Sequence, residues 1–323
     1  MLPVRFAPYS VLVNTAGDTD LWINQIQSTD VDQNITLFEE SGGSQTDREF
    51  VAQKEIAPTI AIDTTDLSTL ATVGMLGVSI TAGADTPGVV IYAREVPNQS
   101  LPASISSAVH ITVAVSDGLL VPVNLTASNN SAARLSMMLH AILGSGDDSG
   151  ATPLVETDDV EIASGAGGTV NIYTVGVVKF TPSSGTNSGT ARLVEGIMSQ
   201  SVNFGITIGK ESSDGEAHVT YIRIKKRYPV LEFTTNDVEL ITEIGEGVSV
   251  SSFASFFRAV DQNGQRVDNG TSSHVSITGT AGLLNPKKGA LKYDASGNAV
   301  FEFVPSLNTN LLTISSSATI PTS

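Results

Sequence analysis

Residues 21–40, LWINQIQSTDVDQNITLFEE, and residues 192–211, RLVEGIMSQSVNFGITIGKE, decide the fold because they are two versions of one pattern. Each begins with a short apolar run of alternating character and resumes in a second apolar run around Ile35 or Ile206. Alternation with a period of two is typical of strands that bury one face. The two segments therefore predict equivalent pairs of β-strands.

The similarity extends well beyond these segments. Residues 14–67 match residues 185–238 without a gap at an offset of 171, with 13 identities in 54 positions. A second match at an offset of 164 pairs Arg94 with Arg258 and His110 with His274, which places a seven-residue length change between residues 67 and 94. Self-similarity of this kind indicates a duplicated unit. We predict two tandem domains, residues 1–184 and residues 185–323.

One copy can be interpreted strand by strand. A Gly/Ser-rich stretch such as Ser41-Gly42-Gly43-Ser44 separates two strands and predicts a long hairpin with a flexible tip. A short strand follows Pro58 or Pro229, and Asn236 with Glu239 predicts a helix start with a capping box. The predicted fold class is mainly β, with two tandem β-sandwich or barrel domains, each carrying a long hairpin and one short flanking helix.

Composition narrows the class of protein. The chain has 41% hydrophobic residues, no cysteine and a net charge of -16, which predicts a folded chain without disulfides or thiolate metal sites. No apolar run has the length of a membrane helix and no signal peptide is evident, so we expect a soluble protein. Residues 1–171 hold 5 basic and 20 acidic residues, against 12 and 13 in residues 172–323. Such an acidic half argues against sequence-specific DNA binding.

Motifs for catalysis or metal binding are weak. The four histidines lack ligand or triad spacing, and the P-loop-like segment 205–210 falls where the repeat requires a strand and hairpin. The acidic pairs Asp147-Asp148 and Asp158-Asp159 lack the alternating spacing of a calcium loop, and residues 261–264 are first of all a hairpin turn. We therefore expect no enzyme activity, no metal and no cofactor.

The order of elements resembles a known family. A strand pair, a long hairpin with a Gly/Ser tip, a Pro-led strand and a short helix near Thr-x-Asp are similar to the tube domain of phage tail tubes and related contractile injection tubes. The duplication resembles the tail tube proteins of long-tailed, siphovirus-type phages that fuse two such domains and build a ring from three chains. The resemblance rests on pattern and repeat, without a signature motif.

The resemblance implies a structural virion protein, made in the host bacterial cytoplasm, that assembles into stacked homotrimeric, pseudo-hexameric rings. The rings would form the conduit for DNA ejection, with DNA passing the lumen without specific binding. Implied partners are other copies of the chain and the tail terminator, tape measure and distal tail proteins, with no membrane involved. An acidic lumen would repel phosphate.

The two predicted hairpins carry opposite charges. In the resembling family the long hairpin stacks one ring on the next, so we expect these charges to form contacts within or between rings; unrelated drift of two solvated hairpins is the alternative. The predicted contact residues are Glu39, Glu40, Asp47, Glu49 and Glu55 in the first copy and Lys210, Arg223, Lys225, Lys226 and Arg227 in the second.

Another class of function stays open at this point. Residues 250–315, with Asp294-Ala295-Ser296-Gly297 ahead of an apolar strand, also look like an immunoglobulin-like domain of a virion decoration or adhesion protein. Such an appendage would need no counterpart in the first copy, whereas residues 130–139 supply one. A capsid or minor baseplate protein is a further possibility.

Overall fold

The fold was analysed in a computed structural model. It describes residues 5–14, 20–40, 50–82, 87–97, 101–143, 152–168, 170–185, 187–212, 217–261, 263–292, 295–306 and 312–322. Strands account for 63% of these described residues and two short helices for 4%, which confirms the mainly β fold class.

The described residues of the first half form twelve strands and one helix. In order they are β1 (Arg5–Asn14), β2 (Asp20–Ile23), β3 (Ile26–Asp32), β4 (Ile35–Glu40), β5 (Phe50–Ile56), β6 (Thr59–Thr64), α1 (Thr69–Val73), β7 (Val78–Ile80), β8 (Val89–Val96), β9 (His110–Val115), β10 (Asp117–Ser128), β11 (Ser131–Ile142) and β12 (Leu154–Val160).

The second half repeats this order with one strand fewer among the described residues. Its elements are β13 (Ile172–Pro182), β14 (Arg192–Val194), β15 (Ile197–Asn203), β16 (Ile206–Glu211), β17 (Tyr221–Arg227), β18 (Val230–Thr235), α2 (Glu239–Ile244), β19 (Val248–Val260), β20 (His274–Gly279), β21 (Gly282–Lys292), β22 (Ala295–Pro305) and β23 (Thr313–Ala318).

Strand pairing is the same in both halves. In the first, β3 pairs with β6, β6 with β11, and β11 with β10; in the second, β15 pairs with β18, β18 with β22, and β22 with β21. The hairpins β4–β5 and β16–β17 are separate two-stranded sheets in equivalent positions. The repeat predicted from the sequence is therefore present in the topology. We refer to the two copies as module 1 and module 2, with β13 the counterpart of β1; the division into domains at residue 184 stays a prediction.

The length change between the copies has a structural location. Module 2 runs through β19 as one strand that pairs with both β13 and β21. Module 1 divides the equivalent path into β7, which pairs with β10, and β8, which pairs with β1. Most of the extra residues lie in the connection between Ile80 and Val89, within the predicted interval 67–94.

Equivalent side chains make equivalent bonds. His110 Nδ1 accepts the amide of Glu95 at 3.1 Å, and His274 Nδ1 accepts the amide of Ala259 at 3.0 Å. Nε2 of each ring lies 2.8 or 2.9 Å from a backbone carbonyl six residues earlier. Because Nδ1 is an acceptor, Nε2 carries the proton and donates to that carbonyl. Both imidazoles are fully buried, so these histidines are structural, as the repeat predicted.

Four strands from each module form one continuous sheet segment, in the order β3-β6-β11-β10-β15-β18-β22-β21. One face of this eight-strand segment supplies a hydrophobic cluster that runs through both modules and includes Ile62, Leu135 and Phe233. The same cluster takes Val11 and Ile91 from the five-stranded sheet β12-β9-β8-β1-β2. The opposite face, here called the polar face, is left without such a cover in the described chain.

Each module has one short helix, as predicted. The expected capping box is wrong, because α2 is capped at Val238 without a side-chain hydrogen bond. The helix is held by burial of Leu240 and Ile244 rather than by its cap. Neither helix in the described part of the chain has the length and apolar character needed to cross a membrane.

The core of module 2 is organised around phenylalanine pairs. Phe301 is fully buried and its ring centroid lies 5.2 Å from that of Phe233, while Phe253 and Phe303 are 4.2 Å apart. Offset or stacked aromatic pairs add stability beyond their buried area.

Replacing Phe301 with Ala should lower the free energy of unfolding by about 3–5 kcal/mol, because the cavity adds to the lost burial. Urea unfolding followed by circular dichroism measures this change. Phe6→Ala, at a position that is 41% exposed, is the matched control and should have a much smaller effect. Equal losses in the two variants would contradict the described core.

Candidate assembly interface

The junction between the modules is an antiparallel strand pair. Residues 124–128 of β10 pair with residues 199–203 of β15, with Asn124 opposite Asn203 and Leu125 opposite Val202. Leu125 and Val202 are fully buried. The sheet thus passes from one module into the next without interruption, since each strand satisfies the backbone edge of the other.

Module 2 also places its hairpin on module 1. The segment 217–219 lies next to β17. The amide of Ile56 donates to the carbonyl of Ala217 at 2.7 Å, and the amide of Val219 donates to the carbonyl of Ile56 at 3.1 Å. The amide of Leu143 donates to the carbonyl of Val219 at 2.9 Å. Lys210 of β16 donates to the carbonyl of Ala57 at 3.4 Å. Burial lowers the pKa of Lys210, and the nearby Glu55 opposes that shift. A cation of one hairpin therefore lies beside an acidic residue at the base of the other.

The free edges of the eight-strand segment are the counterparts of this junction. By the repeat, β3 is equivalent to β15 and β21 is equivalent to β10. Within the described residues no strand pairs with the outer edge of β3, and β21 is paired on that side only over residues 282–284. One chain therefore carries both halves of a second junction, which it does not form with itself.

Burial differs between the filled and the open edge. Val31 of β3 is 43% exposed, although its counterpart Val202 is fully buried against β10. The two residues occupy the same register position, because each is opposite the equivalent residue, Ile60 or Leu231. An apolar side chain is thus present at the open edge where the filled junction buries one.

The first hairpin shows the same contrast. Ile35, Leu37 and Val51 are 49, 47 and 48% exposed. The equivalent apolar residues of the second hairpin are half-buried, and that hairpin lies against β10 and β11. The apolar side chains of the first hairpin have no such cover among the described residues, so they form a surface of the kind that marks an interaction site.

The polar face of the segment is mostly hydroxyl and acidic. Asp63 of β6 accepts bonds from Ser28 at 3.0 Å and from Ser136 at 2.5 Å. Lys287 lies 2.9 Å from the carboxylates of both Glu232 and Glu302, and these bonds raise its pKa. Lys287 thereby neutralises part of the acidic charge of module 2 on this face.

The predicted hairpin residues fall into distinct environments. Glu39 and Glu40 lie in β4, opposite Val51 and Phe50, whereas Asp47 and Glu49 lie outside the described residues. Glu55 is half-buried at the hairpin base.

In the second hairpin, Arg223 forms an ion pair of 2.8 Å with Glu211 of the same hairpin. Lys225 lies across Gly209, while Lys226 is exposed and Arg227 is half-buried. The structure brings Lys210 and Glu55 together across the module boundary; the contacts expected of the other hairpin residues stay predictions.

The sequence reasoning missed the edges. Asp32 and Lys288 were not among the predicted contact residues, although both are exposed and correspond by the repeat to Asn203 and Asn124, which face each other at the filled junction. The signal was present in the repeat, because residues 28–32 align with residues 199–203, but the role of β15 is visible only once its partner is known.

The rest of the described surface was considered for metal-binding groups and for hollows. No group of three His, Asp or Glu side chains in the described ranges could hold a metal ion. A hollow of about 400 Å³ at the module boundary is lined by residues that include Gly176, Met198, Arg258 and Arg266. Arg266 there donates to Asn129 at 3.3 Å, so it contributes to the boundary between modules.

No family model matches the chain, and no curated protein matches its sequence.

The module boundary should be sensitive to acid. Burial, and secondarily the charge of Lys210, lowers the pKa of His140 to about 4 from 6.5. The unfolded chain binds this proton at a higher pH than the folded chain, so stability falls as the pH drops from about 6.5 towards 4. His140→Gln should reduce that fall, measured as the difference in unfolding midpoint between pH 7 and pH 4.5. A variant with an unchanged difference would contradict the assignment.

Proposed function

We propose that this chain is the subunit of a phage-type tail tube and assembles by joining β21 of one copy to β3 of the next. The observation that carries the proposal is the filled β10–β15 junction together with an open, equivalent junction on the same chain. A chain with complementary ends forms heterologous contacts, which close into a ring when the rotation permits.

The geometry favours a closed tube over an open sheet. Closure removes both exposed edges, which would otherwise pair without control. Eight strands from each of three chains would give a barrel of 24 strands. At about 4.8 Å between strands its backbone diameter is roughly 37 Å before strand tilt widens it. In this proposal each module is a two-sheet sandwich.

The uncovered face then lines the lumen. The second sheet of each module and its helix lie on the core side of the eight-strand segment, so the bulk of the chain fits only outside the barrel. The polar face, with Asp63, Glu232 and Glu302, would be directed inward. An acidic, hydroxyl-rich wall repels phosphate and lets DNA pass without sticking.

The immunoglobulin-like display alternative receives less support. Residues 250–315 contain most of β19 and all of β20 to β22, whose pairings repeat those of β7 to β11 in module 1. They are therefore part of the repeated unit rather than an appendage. Negative-stain microscopy of the purified chain distinguishes the alternatives: rings or tubes support the tube subunit, and monomers at all concentrations support the display module.

The open edge can be tested at Val31. Burying a valine contributes about 1.5–3 kcal/mol, so Val31→Asp should raise the concentration needed for assembly by at least about tenfold. Sedimentation velocity across a concentration series measures this. Val304→Asp is the matched control, since Val304 is 37% exposed on β22 and lies outside both edges. If both Val31→Asp and the control assembled at the same concentration as the wild-type chain, the proposed edge pairing would be contradicted.

The basic strand of the second hairpin provides an independent test. Replacing Lys225, Lys226 and Arg227 with Glu should impair the growth of rings into tubes. The predicted partner is the acidic first hairpin of a neighbouring chain, which the new glutamates would repel. Tube length in negative-stain images measures the effect, and thermal unfolding checks that the monomer still folds. Unchanged tubes would refute a role for this hairpin in assembly.

A further inference from the structure

The two junctions of the ring have the same geometry but different charges. The internal junction, between β10 and β15 of one chain, places Asn124 opposite Asn203, two neutral amides on the polar face. The repeat carries this register to the open junction, where residues 28–32 of β3 would face residues 288–292 of β21. In that register Asp32 is opposite Lys288, and Val31 is opposite Gly289.

We propose that opposite charges select the partner of each open edge, so that β3 of one chain pairs with β21 of a second copy and neither edge pairs with an identical edge. This inference rests on the proposed assembly and specifies how its partners are selected. Asp32 and Lys288 are both exposed in the single chain. Opposite charges that face each other across strands stabilise a pair, while like charges in that position destabilise it.

Self-pairing is the error that this arrangement prevents. Any open strand edge can pair with an identical edge of a second chain, which would produce a dimer that does not close into a ring. Two β3 edges would bring Asp30 and Asp32 of both chains into one short ladder. Two β21 edges would bring both copies of Lys288 together, and Lys287 is already engaged by Glu232 and Glu302.

The difference between the junctions has a physical reason. Asn124 and Asn203 belong to one chain, so the covalent connection selects the partner and no charge is needed. Asp32 and Lys288 would meet only when separate chains collide, and electrostatic complementarity then raises the rate of productive encounters and suppresses wrong ones. The charged pair lies where selection between molecules is required.

The register of the proposed pair is fixed by apolar packing as well as by charge. Val31 would enter the position that Val202 occupies against Leu125, with Gly289 in place of the leucine. A Cβ on Gly289 would lie 2.4 Å from Ile241 Cδ1, so helix α2 lies over this glycine. The space opposite Val31 is thus bounded by α2 rather than by a side chain of β21.

A charge-reversal cycle tests the proposal with the full chain. At about 0.05 M NaCl, Asp32→Lys and Lys288→Asp should each raise the concentration for half-assembly about fivefold or more. The double variant D32K/K288D restores an opposite pair and should return to within about twofold of wild type. Asp20→Lys, an exposed position on β2, is the control for the change in net charge.

Salt supplies a second measurement. In about 1 M NaCl the screening length falls to about 3 Å, so the single variants should approach wild type. Partner selection by charge would be overturned if the single variants assembled like wild type at low salt. It would also be overturned if the double variant needed a higher concentration for half-assembly than either single variant. Neither result would contradict the tube proposal. The Val31→Asp variant tests the edge pairing itself, so failure of the proposed function is distinguished from failure of this inference.

Discussion

The pairing of β10 with β15 is the contact on which the rest of the structure depends. It joins the two modules into one eight-strand segment and buries Leu125 and Val202 at the join. The same pairing creates a constraint, because a chain with two equivalent modules and one internal junction must have one unfilled edge of each type. In the proposed assembly, the need to pair those edges drives association without any separate binding motif.

The asymmetry of the modules takes meaning from that constraint. Val31 and Val202 are the same residue in the same register, yet one is 43% exposed and the other fully buried. The first hairpin leaves apolar side chains uncovered, whereas the second lies on module 1. These differences are those expected if the exposed set is covered by another copy, and they are difficult to explain for two solvated hairpins that drifted independently.

In the proposed ring, duplication gives the two modules different contacts. A single-module subunit would present identical junctions all around a ring, and each edge would have to serve every contact. Here the internal junction carries amides, and the proposed junction between chains would carry Asp32 and Lys288, so the two would differ in charge. The acidic excess of residues 1–171 and the basic hairpin of module 2 are consistent with the same division of roles.

The sequence by itself determined the strands, the hairpins, one helix per copy, and the repeat with its seven-residue length change, because all of these are set by local periodicity, turn residues and self-similarity. It also indicated that His110 and His274 are structural, since they recur at equivalent positions. Only the tertiary structure decided which strands meet across the modules, that Lys210 lies beside Glu55, and that Val31 is left exposed. Those features depend on contacts between residues distant along the chain, for which neither composition nor periodicity carries a signal.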